Sequence, residues 1–350
     1  MEQLIKNNSD FLFIYEGINC NPNGDPDTEN QPRLDSENSI NLVTDVRIKR
    51  YIRDYLKAQD YPVFVDLEEG QHVAPKERLE TFINQLNEEK IKNLYQTENM
   101  DAEPLLKVFH SLKKDESLSS KLLIKKSKEE NSEEKTKPIK AKDKVIKEIT
   151  NDLVYLMVKN NFSDIRLFGS AFAIDGVTRT FTGPIQLTWG YSLNKVKLIE
   201  STSLVTIMED SSSTFGKDYR LYYSLLSFHG TINKHCAKYV GLKPEDIDIF
   251  RSAIWNSISA IPTRSKLNQY PKLYLEIIYN ENYGNGQFGD LRNYLEVTPK
   301  DGLTFDKVRK FVDLNIDFTK LIDLINSNCG EDKIIKDVII RHTDDLNFNL

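Results

Sequence analysis

The residues first in line to do chemistry are the carboxylates of one loop. Asn21-Pro22-Asn23-Gly24-Asp25-Pro26-Asp27 runs on through Pro32, Arg33 and Asp35 to about Asn41. Asp25, Asp27 and Asp35 are hard oxygen ligands of the kind that hold a divalent cation. Set among Pro, Gly and Asn, the same side chains also bond their own backbone in tight turns. Turn chemistry is the expected use, because no further acid or histidine in the motif completes a metal cage. Gly284-Asn285-Gly286-Gln287-Phe288-Gly289 matches G-x-G-x-x-G, but a dinucleotide site needs those glycines between a strand and an amphipathic helix. Asp290 to Tyr294 starts no such helix, so a surface loop or hairpin is expected and a hydride-transferring enzyme lacks support. His229, His235 and Cys236 form the tightest His/Cys group, with a spacing that does not suit helical metal ligands. They read as unrelated polar side chains.

Cationic chemistry is better placed. Thr44 is a candidate N-cap for a helix running to about Leu56, with Ile48, Tyr51, Ile52, Tyr55 and Leu56 as its apolar stripe. Lys49, Arg50, Arg53 and Lys57 fall on the opposite side. From Thr44 to Lys57 there are five basic and two acidic residues, so the segment is locally positive. A helix N-terminus behind a Gly-rich loop is a ready phosphate ligand. The default reading of such a charge run is a solvated face; its position beside the loop favours nucleic acid.

The elements that must position these residues follow from patterning. Phe11 to Ile18 reads as a strand covered on both faces. Tyr61 to Leu67 suggests a short strand, and Pro75 to Lys113 is helical. Ser117 to Lys147, rich in Lys, Glu and Ser, reads as a flexible or partly helical insertion that adds little to the core. A helix is expected over Asp143 to Asn160. Strand signals follow at Asp164 to Phe168 and Thr182 to Trp189. Val196 to Ile207 and Tyr219 to Phe228 read as the arms of a projecting hairpin with a polar tip from Glu209 to Asp218. A helix over Pro244 to Ala260, a strand over Lys272 to Tyr279, a helix over Phe318 to Asn326 and a strand near Val338 to Arg341 complete an α+β order.

Composition sets the outer bounds. The 350 residues carry 47 Lys+Arg against 53 Asp+Glu, a net charge of -6. That balance opposes a uniformly basic nucleic-acid binder and requires any basic surface to be local. Three widely spaced cysteines, no apolar signal core and no run long enough for a bilayer point to a reduced, cytoplasmic protein.

Asn21 to Pro26, followed by Val43 to Tyr55, resembles the backbone subunit of type I Cascade complexes, the CRISPR Cas-seven superfamily. Asp164 to Gly169, Thr182 to Gly190 and Thr263-Arg264-Ser265-Lys266 extend the likeness; Ser213 to Tyr219 and His229-Gly230 look closest to the subtype I-B branch. The resemblance implies an RRM-like (ferredoxin-like) palm over 10–74 and 161–350, a helical fingers insertion over 75–160 and a β-hairpin thumb over about 196–228. It implies copies stacked head to tail on a CRISPR RNA, other Cascade subunits as partners, and a guide left to pair with target DNA. It also implies no cofactor and no catalysis by this chain. By position the RNA contacts would be Asn23, Lys49, Arg50, Arg53, Arg166, Phe168, Gln186, Arg264 and Lys266, with Met208, Phe215 and Lys217 on the thumb. The alternative is a metal-dependent RNA endonuclease: type III relatives cut with an acid of the corresponding loop, which here would be Asp25 or Asp27.

Overall fold

A computed structural model describes residues 5–65, 67–68, 71–72, 75–114, 116–123, 141–174, 177–199, 203–207 and 213–348. These residues mix helices with a largely antiparallel sheet, as the α+β order predicts. They form two compact units, one of residues 1–59, 184–235 and 243–350, the other of 60–183 and 236–242.

The chain opens with β1 (Ser9–Cys20), β2 (Ile40–Val43) and α1 (Asp45–Ala58). The second unit supplies α2 (Pro75–Asn84), α3 (Glu88–Gln96), α4 (Glu103–His110), α5 (Leu118–Leu122), α6 (Ala141–Asn161) and α7 (Ser163–Phe168). A ladder of β3 (Gly169–Ile174) with β4 (Val177–Thr182) follows. The chain then runs through β5 (Ile185–Leu187), β6 (Gly190–Ser192), β7 (Ser203–Ile207), β8 (Ser213–Lys217) and β9 (Leu221–Ile232). After α8 (Lys234–Val240) and α9 (Pro244–Ala260) come β10 (Gln269–Tyr279), β11 (Glu296–Pro299), β12 (Leu314–Asp317), α10 (Thr319–Asn328) and β13 (Ile335–His342).

The main sheet has the order β13-β10-β1-β9-β6-β2, with Leu34–Asp35 beyond β2 and β5 also on β9. Its central strand, β1, pairs only with distant strands: Phe13 lies opposite Phe228 on one side and Tyr274 on the other. Ser9 to Gly17 is wholly buried because both faces are covered. On one face α1 and α9 pack together, and the Phe250 ring meets Phe11 edge-on at 5.5 Å. On the other, Leu12, Ile14, Leu275 and Ile277 join a core with Phe311, Leu321 and Phe348. A polar knot closes one end of the first face. Glu276, only 1% exposed, accepts from Ser9 Oγ (2.6 Å), Tyr274 Oη (2.7 Å) and the Arg251 guanidinium (2.8 and 3.1 Å).

Four expectations need correction. Asp164 to Phe168 is the helix α7, not a strand. Its Asp164 carboxylate accepts from the N–H groups of Phe64 and Val65, so Tyr61 to Val65 spends those donors on a side chain instead of a strand ladder. The hairpin is shorter than predicted, with β7 opposite β8. Only the start of Tyr219 to Phe228 pairs with the first predicted arm, Leu198 lying opposite Leu221 with Ile199 N–H donating to Arg220 O and Tyr222 N–H to Lys197 O; from Leu221 onward the apolar residues are β9, in the middle of the sheet. Finally, Ser117 to Leu123 is anchored: Leu118, Leu122 and Leu123 are buried. Residues 124–140 of that predicted insertion lie outside the described residues.

Candidate nucleic-acid interface

The loop after β1 is fastened to α1 through one asparagine. Asn23 Oδ1 accepts from the Thr44 N–H at 2.9 Å and the Thr44 hydroxyl at 3.0 Å. Thr44 Oγ1 in turn accepts from Arg47 N–H at 3.2 Å, the predicted N-cap. The acids serve turns. Asp25 Oδ1 accepts from Asp27 N–H, and its Oδ2 meets Arg33 Nη1 at 3.1 Å. Asp35 accepts from the Asn38 side chain and from the N–H groups of Asn38 and Glu37, which hold its carboxyl below the usual range. A methyl group on Gly24 would sit 1.9 Å from Asn30 Oδ1, so this packed turn suits glycine there.

The helix charges divide sharply. Lys49 Nζ lies 2.9 Å from Asp45, and Arg50 Nε lies 2.8 Å from Asp54, each four residues along the same helix. Arg53 is half-buried on that helix. Arg47, which the sequence reading counted but did not single out, is different. Its guanidinium stacks 4.0 Å from the Tyr51 ring centre. Among the described residues no carboxylate pairs with it, and its buried Nε has no hydrogen-bond acceptor. The spacing signal was partial: the two acids of the helix each sit four residues from Lys49 or Arg50, and neither sits four from Arg47.

Lys266 joins Arg47 from the segment before β10. Asn21 N–H donates to Ser265 O, and Lys266 Nζ donates to Asn21 O at 3.2 Å. Gln269 Nε2 donates to both Lys266 O and Tyr51 Oη, closing the cluster. Burial and the neighbouring Arg47 charge push the Lys266 ammonium down to about 8, against some lift from Cys20. Burial also pushes the Cys20 thiol up to about 12, so it stays protonated beside these cations. Two crowded positive charges with no carboxylate partner among the described residues suit a phosphate.

A second layer of cations surrounds this pair, each held by an acid. Asp218 takes Arg220 at 2.8 Å and Arg264 at 3.2 Å. Glu29 takes Lys217 Nζ at 2.7 Å and the Tyr219 hydroxyl at 3.1 Å. Gln186 is not brought to this cluster. It is exposed opposite Thr231 on β9, whereas Cys20 lies opposite Leu221, so roughly 33 Å of strand separates the two levels. Arg166 and Phe168 belong to the second unit. Arg166 donates to Lys159 O at 3.3 Å, and Phe168 is buried, so its ring is not offered to a base. Phe215 stands opposite Val205 in the hairpin, its side chain outside the described residues, as is the whole of Met208. Among the described residues no group of His, Cys, Asp and Glu could hold a metal ion, and no helix is long and apolar enough to cross a membrane.

The low Lys266 value gives a pH test. Between about pH 8 and the ordinary lysine value of 10.5, the unfolded chain holds a proton that folded Lys266 has released. Unfolding then takes up protons, so this residue makes stability rise with pH across that window. Phosphate affinity should move the opposite way, falling from pH 7 to pH 9 as the amine loses its charge. Titrations of single-stranded RNA at both pH values, with Lys266→Met as the control, check this; an equal pH dependence in the control would exclude Lys266.

Comparison with known proteins places the chain. The family model described as CRISPR-associated protein Cas7 matches residues 7–319. A protein of that description from Haloferax volcanii is 26% identical over 329 residues, covering 91% of this chain and 83% of its own. Chains of two solved structures described as CRISPR RNA-guided surveillance complexes, one of them pre-nicking, align over 78% of this chain and 76–78% of theirs. Their identities are 14% and 12% and their TM-scores 0.43 and 0.37.

Proposed function

The chain belongs to the CRISPR-associated Cas7 family, and from that premise we propose that it is the RNA-holding backbone subunit of a Cascade surveillance complex, of subtype I-B. The observation that carries the reading is the Arg47–Lys266 pair, two cations without a carboxylate partner among the described residues, beside the loop pinned by Asn23. A local basic centre answers the objection raised by the net charge of -6. On this reading copies stack head to tail along a CRISPR RNA and hold its sugar-phosphate backbone, while the bases pair with target DNA. The sheet with α1 and α9 serves as an RRM-like palm, the helices over 75–160 as fingers and the β7–β8 hairpin as thumb. Lys49, Arg50, Arg53, Arg264 and Lys217 form the outer electrostatic rim. Asn23 acts through Thr44, positioning the loop. Arg166 and Gln186 would meet RNA at other places along the filament.

The protein is proposed to be cytoplasmic and non-catalytic. Both oxygens of Asp25 are spent on the turn and on Arg33, which supports a holding role over RNA cleavage. The deciding experiment is to purify the chain from cells carrying a CRISPR array and sequence the nucleic acid that comes with it. Short CRISPR RNAs are expected. Random cellular RNA or none would overturn the proposal, and cleavage of labelled RNA lost on Asp25→Ala would put the endonuclease reading in its place.

A further inference from the structure

The ion pair at the base of the hairpin joins two parts of the chain far apart in sequence. Lys217 ends β8, and Glu29 lies in the loop after β1. Glu29 is held in the left-handed region at φ 52°, followed by Asn30 at φ 61°, a conformation that costs free energy for residues with a side chain. Its carboxylate gathers the Lys217 ammonium and the Tyr219 hydroxyl on one oxygen. All three groups are open to solvent, with the Lys217 and Glu29 side chains 55% and 62% exposed. Next to this exposed pair, Asp218 is a firmer anchor, half-buried between Arg220 and Arg264. The hairpin base therefore has one fixed attachment and one that water and ions can reach.

We infer that the Glu29 carboxylate is a resident stand-in for a backbone phosphate, and that nucleic-acid binding exchanges one for the other on Lys217. This deepens the RNA-holding reading and rests on it. Carboxylate and phosphate oxygens make the same charge-assisted bond to an ammonium, so the two compete for one donor. A phosphate arriving at Lys217 breaks the link between hairpin and loop while the Asp218 anchor keeps the hairpin base in place. Glu29 thereby lowers affinity for any polyanion, and the hairpin stays latched to the loop until a strand lies across both. The salt bond draws the Glu29 carboxyl below the usual range and lifts the Lys217 ammonium, in keeping with a closed pair in the RNA-free chain.

The test is a double-mutant cycle on the full chain, with binding of an unrelated single-stranded RNA measured over a range of salt. Glu29→Gln should tighten binding roughly two- to fivefold, the scale of an exposed ion pair. It should also steepen the logarithmic salt slope by about 0.7, one single-strand phosphate contact, since no freed carboxylate then recaptures a cation. In a Lys217→Met background the same change should do neither. An unchanged affinity in Glu29→Gln, or a gain that persists without Lys217, would overturn the exchange. Failure of the unsubstituted protein to bind any RNA would instead remove the RNA-holding reading, and the exchange with it.

Discussion

Changing Arg47 and Lys266 together to alanine is expected to weaken RNA binding roughly a hundredfold or more. Each supplies a charge-assisted contact, worth about 1.5–3 kcal/mol when the charged partner is not already paired. The logarithmic salt slope should flatten by about 1.4, two single-strand contacts at about 0.7 each. Unrelated RNA sequences should suffer equally, because the pair addresses phosphates and not base edges. The loss should exceed that from Lys49→Ala with Arg50→Ala, whose charges are already balanced by Asp45 and Asp54. Folding should hold, since separating two crowded cations removes a repulsion. Affinities at several salt concentrations on two RNAs decide the matter. A flat response, or a loss no greater than in the Lys49/Arg50 variant, would move the binding centre elsewhere.

Arg251→Ala should be strongly destabilising. Glu276 is 1% exposed, and the guanidinium supplies its two bonds from Nε and Nη2. Without it the carboxylate keeps only Ser9 and Tyr274 as donors, at the wall of a surface cavity that Arg251 also lines. Removing one partner of a buried pair costs about 3–5 kcal/mol. In a chain of 350 residues that lowers the melting temperature by roughly 4–7 °C. Arg251→Met combined with Glu276→Gln should recover most of the loss, because the buried charge is then gone as well. A single variant melting within a degree or two of the parent protein would show that the knot contributes little.

The legible parts of the sequence were those where local physics decides. Thr44 as N-cap and the stripe through Ile48, Tyr51, Ile52 and Leu56 define α1 without tertiary information. The helix over Pro244–Ala260 was bounded by its proline and its acidic first turn. Where reading failed, a distant partner had decided. Asp164 stood in an apolar run that looks extended, but its carboxylate caps the Phe64 backbone from a helix. The strand at Leu221–Ile232 has a hairpin arm's composition, yet it is drawn into the sheet between β1 and β6. For the candidate site, the turn roles of Asp25 and Asp35 and the place of Lys266 near the loop were within reach of motif reading. That Gln186 sits about ten residues of strand away from the cluster was not, because register across β9 is invisible in one sequence.

The pairing of β1 has a consequence for how the chain comes off the ribosome. Its first sheet partner ends at Ile232 and its second at Tyr279, so the central strand is made well before either strand it pairs with. At about 5–20 residues per second, roughly 10–40 s pass before β9 has even been synthesised. During that interval Phe11, Leu12, Phe13, Ile14 and Tyr15 have no ladder to join. A nascent segment of this kind is a natural client for chaperones that shield hydrophobic strands. The buried centre that makes the finished sheet firm is, during synthesis, the part of the polypeptide most in need of protection.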